Sequence, residues 1–478
     1  MLLGRTALSA TLALALVGCG GGGSNNTPGP IAGGPSPTPT PTPTTSAIQE
    51  QLAFAEAVLN EWYLYPDLLD NSVDTADFND VQDYLDARVA PARDQDIDKG
   101  FTFATSIEEE NALINSGSSG GSFGIRLAYD TVNNRVFLLE AFENGNAFPA
   151  GMDRGTELLG IAAPGADEEL VSALMAAGGP QAVINALGEA EAGVVRTLRF
   201  AQADGTVITA EITKSDFSLD PISDRYGASI ITDNGKQIGY INLRTFIVAD
   251  AADQLREAFG TFQAQGITEL IIDFRYNGGG LVSVADTFGD LMGAGRVGQV
   301  WSETVLRESK SAENETELFQ SESNAIAPTK IAFIGRFGTA SASELVINSM
   351  IPYVDAANIA LIGANTFGKP VGQFGFDLEE FDLRVRAVTF QTNNADGDGN
   401  YFSGLASVVP NTCRANDDIF TPLGDPDEAS IAQAISFLSG TPCTAISGGG
   451  IQTQSVGGRQ FLQPTRPSSV QYQIPGTF

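Results

Sequence analysis

Three stretches carry residue types from which acyl-transfer chemistry can be assembled. In "GTASASELV" a loop of small residues and hydroxyls runs into an apolar helical pattern, with Ser341 and Ser343 at the junction. A hydroxyl at a helix start has a structural use as an N-cap. A nucleophile there would also have helix-terminal N–H groups beside it to hold an oxyanion. "NTFGKPVGQFGF" offers Lys369 and, four residues on, Gln373. A lysine beside glycine and proline is ordinarily solvated, but burial lowers an amine's pKa and lets it take a proton from a serine hydroxyl. "DFRYNGGGLVSVADTF" places glycines 278 to 280 directly after an apolar run, where tight turning exposes backbone N–H groups. The G-x-G-x-x-G spacing of a dinucleotide site is absent from it.

The composition narrows the options. The chain has 478 residues and no histidine, so neither a Ser-His-Asp triad nor a histidine-based zinc site can be built. Three scattered cysteines do not make a cysteine-only metal site. The formal net charge of −32 argues against nucleic acid or an anionic membrane surface as a partner. "NADGDGNYF" alternates Asp396, Asp398 and Asn400 like a calcium loop. Tyr401 stands where that loop needs glycine and Ser407 where it needs glutamate, so it reads as a turn.

The elements that must position these residues are legible as pattern. From Ile230, strands such as "KQIGYINLRTF", "TELIIDFR", "KIAFIGRF" and "NIALIGA" alternate with helices such as "AADQLREAFGTFQAQ" and "SASELVINSMI". Nearly continuous apolar strands in that alternation predict a parallel sheet covered on both faces, with ligands beyond the carboxyl ends of its strands. Short alternating runs between about Gly117 and Phe217 predict a β-rich segment with one helix near "PQAVINALGEA". Its order resembles a PDZ domain. "GSFGIRL" then supplies the loop and edge strand, Gly121, Phe123, Gly124 and Ile125, that accept a peptide C-terminus by strand addition. Residues 47–114 read as helical, with Trp62, Tyr63 and Tyr65 as core.

The N-terminus reads as a processing signal. Arg5, an apolar run too short to span a bilayer, and "LVGC" resemble a bacterial lipobox, with cleavage before Cys19 and acylation of its thiol. Gly20 in place of aspartate favours the outer membrane by analogy with lipoprotein sorting. Export makes Cys413 and Cys443 an even pair in an oxidising compartment, and they are expected to form a disulfide.

Taken together, "GYINLRTF", "LIIDFRYNGGGL", "TASASE", "FGKPVGQ" and "PLGDP" resemble the tail-specific, or C-terminal processing, serine peptidases of S41 type. The resemblance implies an α/β fold, α+β overall, with a ClpP/crotonase-like catalytic core. It divides the chain into a signal peptide (1–18), a Gly/Pro/Thr-rich linker (19–46), a helical domain (47–114), a PDZ-like domain (115–218), the peptidase core (219–445) and a low-complexity tail (446–478) expected to be poorly ordered or surface-packed. It also implies Ser341 as nucleophile, Lys369 as general base and Gln373 as its orienting partner. Ala342 and Gly279, or alternatively Gly278, would supply oxyanion N–H groups, and Ser343 a capping or packing role. No metal or organic cofactor is implied; the partners are protein or peptide substrates, with membrane contact only through the lipid. Pro370 departs from the glycine usual after the lysine, and "MIPYVDAAN" holds a few extra residues between the serine and the lysine. The competing class is a peptide-binding module that has lost catalysis.

Overall fold

The computed structural model describes residues 45–130, 132–446 and 459–478. The expected signal segment, Cys19 and the tether through Thr44 lie outside the described residues, as does 447–458 of the tail.

The alternating apolar pattern folds as a six-stranded sheet. Strands Lys236–Asn242, Glu269–Asp273, Lys330–Gly335, Ile359–Gly363 and Asn411–Arg414 run parallel, and Ala228–Asp233 adds an antiparallel edge. Alternate residues serve the two faces. Ile272, Ile331, Phe333 and Leu361 pack under helices Ala251–Ala264, Val282–Met292 and Ala342–Met350. Ile271, Ala332, Ile334, Ala360 and Ile362 face helix Ala429–Leu438. Burial on both faces is why these strands read as uninterrupted apolar runs.

Cys413 sits on the outer strand of this sheet and forms a disulfide with Cys443, with Cα atoms 5.4 Å apart. The bridge closes a 30-residue interval that includes helix Ala429–Leu438. On the loop-entropy model, Cys443→Ser is expected to lower unfolding stability by about 3 kcal/mol, read from the urea midpoint under oxidising conditions. An unchanged midpoint would show that the bridge does not constrain the unfolded chain.

A second, five-stranded sheet joins Phe103–Ser106, Leu383–Asn393, Val300–Leu306 and Glu315–Leu318, with Val371–Leu378 hairpinned onto Leu383–Asn393. The strand Phe103–Ser106 corrects the all-helical reading of 47–114. Four residues are too few to show a period, and their partner strand lies almost 300 residues away in sequence. Helices Thr45–Trp62 and Val81–Arg88 pack on this sheet through Leu52, Leu59, Tyr84 and Leu85, with Tyr63 just past the first helix, against Val385, Ala387 and Val388. Of the aromatic cluster, Tyr63 is buried, whereas Trp62 and Tyr65 are partly exposed.

The β-rich segment forms a third sheet, in which Ile125–Asp130, Arg135–Ala141, Glu157–Ala162, Val195–Ala201 and Val207–Thr213 pair antiparallel. Helix Val171–Leu187, broken at Gly179–Pro180, covers its core through Val171, Met175, Val183 and Leu187. Charge ties this sheet to the parallel one. Arg244 donates to Glu140, and Arg154 reaches Asp417 and the Tyr276 hydroxyl.

The C-terminal residues depart from expectation. Arg459–Phe461 adds a strand to the third sheet, Ser469–Gln473 is helical, and Leu462, Val470, Ile474 and Phe478 are buried. A Gly/Ser/Pro/Gln-rich composition shows little apolar periodicity, but strand addition needs only backbone groups and a few anchors.

Candidate active site

Loops leaving three neighbouring parallel strands meet at one end of the sheet. They are 274–280 after Glu269–Asp273, 336–341 after Lys330–Gly335, and 364–370 after Ile359–Gly363. Backbone and hydroxyl bonds lash them together. Ala340 N–H and the Ser343 hydroxyl both donate to the Asn277 carbonyl, at 3.2 and 3.0 Å. The Thr339 hydroxyl donates to the Phe274 carbonyl, and Phe367 N–H to the Thr339 carbonyl. Ser343 therefore pins the helix start to the glycine loop.

Ser341 stands at the N-cap of helix Ala342–Met350 with φ 55° and ψ −119°. That is the geometry of the first central residue of a type II′ turn, a position dominated by glycine. A non-glycine residue there is strained, and such strain clusters at functional sites. The close approach of Gly279 is part of this corner: a Cβ on Gly279 would lie 2.7 Å from Ser341 Cβ and 2.9 Å from Ala342 N. Only glycine fits.

The backbone donors divide clearly. Ala342 opens the helix, so its N–H has no intrahelical partner. Gly279 N–H is committed to Asn277 Oδ1 at 2.9 Å. Gly278 N–H makes no hydrogen bond among the described residues, and Gly278 lines the adjoining cleft.

Lys369 is partly buried, its Nζ donating to Gln373 Oε1 at 3.0 Å and lying 4.8 Å from the centre of the Phe101 ring. Gln373 is fixed in turn, since its Nε2 donates to the Phe101 carbonyl at 2.6 Å. Burial brings the amine's pKa down from 10.5 to about 8. Arg386 adds to the depression, while Asp98 and Glu344 oppose it. The amine is thus within reach of its neutral form near physiological pH. Pro370 does not displace it: Lys369 N–H still donates to Glu344 Oε2 at 2.7 Å, and the proline is buried.

Sequence reasoning missed the residues that build this setting. Glu344 is fully buried and accepts from Ser341 N–H (3.2 Å), the Thr366 hydroxyl (2.5 Å), Gly368 N–H (2.8 Å) and Lys369 N–H (2.7 Å). One carboxylate thereby holds the serine and lysine loops in register. Burial raises its pKa, although each of these four bonds favours the ionised form. The S-x-x-E spacing of a capping box was the available signal. Phe101 and Lys99 come from the N-terminal segment. Lys99 Nζ donates to the carbonyls of Phe367 and Phe402, at 3.2 and 2.6 Å, and clamps the lysine loop. No local pattern marks that long-range contact.

The site opens into a cleft of about 930 Å³ lined by Lys369, Gln373, Gly278, Ala340 and Phe367. The predicted peptide-accepting residues lie elsewhere, on the third sheet. Phe123 and Ile125 are buried, while Gly121 and Gly124 turn the loop before the strand with φ 112° and 83°. At 394–398 the polar loop is a turn organised by Asn394, whose Oδ1 accepts the N–H groups of Asp396 and Asp398.

Residues 237–402 match the profile of Peptidase family S41. A carboxyl-terminal-processing protease of Picosynechococcus sp. is 25% identical over 290 residues, which are 59% of this chain and 63% of that protein. The chloroplastic C-terminal processing peptidase of Tetradesmus obliquus is 26% identical over 302 residues, 59% of each chain. This chain therefore spans about three fifths of the length of these relatives. A solved structure from Bacteroides fragilis, assigned to the S41 proteases, shares the fold with a TM-score of 0.63 at 22% identity, over 81% of this chain and 97% of that one. Over its residues 237–402 this chain is thus similar to peptidase family S41.

Proposed function

We propose that this chain is a serine peptidase that hydrolyses peptide bonds in exported proteins through a Ser-Lys pair. The observation that carries the reading is that one buried carboxylate holds together the two loops that carry a strained helix-start serine and a buried, glutamine-bonded lysine. Ser341 Oγ attacks the scissile carbonyl while Lys369 Nζ, neutral and oriented by Gln373, takes its proton. Charge develops on the carbonyl oxygen, where the free N–H groups of Ala342 and Gly278 are the donors at hand. Gly279, whose N–H already serves Asn277, shapes the corner instead. The lysinium then protonates the leaving amine. Water attacks the acyl-enzyme with Lys369 again as base, and Ser341 is regenerated.

The β-rich segment acts in this reading as the PDZ-like domain. The edge of Ile125–Asp130 receives a substrate C-terminus, with Gly121 and Gly124 shaping the receiving loop. Cys19 carries the lipid that holds the enzyme at the outer membrane, facing the periplasm. The domain divisions given above are part of the same proposal.

The test compares the unaltered chain with Ser341→Ala on a denatured protein. The unaltered chain is expected to cleave it, and the variant to lose at least about 10³-fold in kcat/KM while binding C-terminal peptides equally well. Equal inertness of both, with peptide binding retained, would establish the non-catalytic binding module instead.

A further inference from the structure

The outer edge of strand Ile125–Asp130 is already occupied, by the chain itself. Arg459–Phe461 pairs antiparallel with Ala128–Asp130, and Leu462 N–H donates to the Leu127 carbonyl at 2.9 Å. The chain then leaves the edge, passes through helix Ser469–Gln473, and returns. Leu127 N–H donates to the Gly476 carbonyl at 2.8 Å, and Phe478 exchanges both backbone bonds with Ile125, at 3.2 and 2.9 Å. Phe478 is buried in the apolar cluster of Phe123, Ile125, Leu127 and Leu187. This is strand addition with a bulky side chain in a pocket, on the edge and loop assigned above to a substrate's end.

The excursion between the two paired pieces enters the cleft. Tyr472 stacks on Phe103 with ring centres 4.2 Å apart. The Gln473 carbonyl oxygen and the Pro475 ring lie 3.3 and 3.6 Å from where Gly278 would carry a Cβ. Gln473 and Pro475 thus cover the residue that offers the free oxyanion N–H, on a cleft they share with Lys369 and Gln373. One short segment occupies both surfaces that a substrate would need.

We propose that residues 459–478 are an intramolecular pseudoligand, holding the accepting edge and the cleft closed until a competing peptide displaces them. This rests on the peptidase reading given above. A tethered occupant acts at an effective concentration of about millimolar, so a free peptide at micromolar concentration competes poorly until it binds more tightly. The pocket that takes Phe478 defines the effective competitor: an extended peptide that places a bulky apolar side chain there.

The test uses the full chain. A fluorescent peptide of the sequence of residues 459–478 is titrated into Ser341→Ala, and into the same chain carrying Phe478→Asp or Tyr472→Ala. Both additional changes are expected to tighten binding of the peptide, Phe478→Asp by about tenfold or more. With Ser341 restored, both are expected to raise kcat/KM on a denatured protein, and added peptide to reverse the gain. Equal peptide affinity in all three chains overturns the proposal. Reduced turnover in both variants with an unchanged circular dichroism spectrum also overturns it, because the segment would then be building the site. Should Phe478→Asp unfold, Tyr472→Ala decides, since Tyr472 lies outside the cluster that holds Phe478. If no chain cleaves anything, the peptide titration still decides this proposal, and only the peptidase reading falls.

Discussion

Lys369→Met is expected to abolish proteolysis and, at neutral pH, to stabilise the fold. Removing the base should lower kcat/KM by about 10⁴-fold, because no histidine is present to substitute for it. The stability change follows from the lysine's pKa, about 8 in the folded chain against 10.5 in water. Between those values the unfolded chain binds a proton that the folded chain does not, so wild-type stability rises with pH through that window. Below about pH 8 the folded chain must hold an ammonium in a dehydrated site, and the penalty is fully present. Methionine removes it. The variant should therefore exceed the unaltered chain by about 1–3 kcal/mol at pH 7, with the gap closing towards pH 10.5. Urea unfolding across pH reads the difference; a gap that widens with pH would contradict the assigned burial of the amine.

Glu344→Ala has the second largest expected effect, and the opposite sign on stability. Four donors now converge on its carboxylate. Deleting it leaves buried N–H groups without partners, a loss of about 3–5 kcal/mol. It also frees the Ser341 corner and the Lys369 loop from one another. Misplacement on the ångström scale costs about 10²-fold, so kcat should fall by that order. Glu344 lies behind the cleft wall and does not itself line the cleft, so KM should stay within about threefold of wild type. A rise in KM with kcat unchanged would instead make Glu344 a binding residue.

The parts of this molecule legible in sequence are those where chemistry or period is local. Ser341, Lys369 and Gln373 could be named because the small-residue corner, the Phe-Gly-Lys run and the four-residue offset each lie within a few positions. The parallel strands were legible because burial on both faces leaves uninterrupted apolar runs. What escaped was non-local. The Phe101 carbonyl that fixes Gln373, and the Lys99 amine that clamps the 367 and 402 carbonyls, are meaningful only once the N-terminal helices have packed on the second sheet. Glu344 was in view as part of "TASASE", yet its spacing to Ser341 suggests only a cap. Its bonds to Thr366, Gly368 and Lys369 required the fold. Which of Gly278 and Gly279 keeps an unbonded N–H was set by Asn277, whose side chain takes that of Gly279. The C-terminal segment was misread because composition reports side chains, whereas its attachment to Ile125–Asp130 is largely through backbone.

The central claim is that a dehydrated amine does the work of an imidazole, and it is tested most directly by the pH dependence of Ser341 acylation. A serine-directed fluorophosphonate reports that step without a protein substrate. The labelling rate of the unaltered chain is expected to rise about tenfold per pH unit and to level off above about pH 8, and labelling of Lys369→Met to be slow and flat across the same range. Equal labelling of the two chains, or a midpoint near 10.5 in the unaltered one, would contradict it.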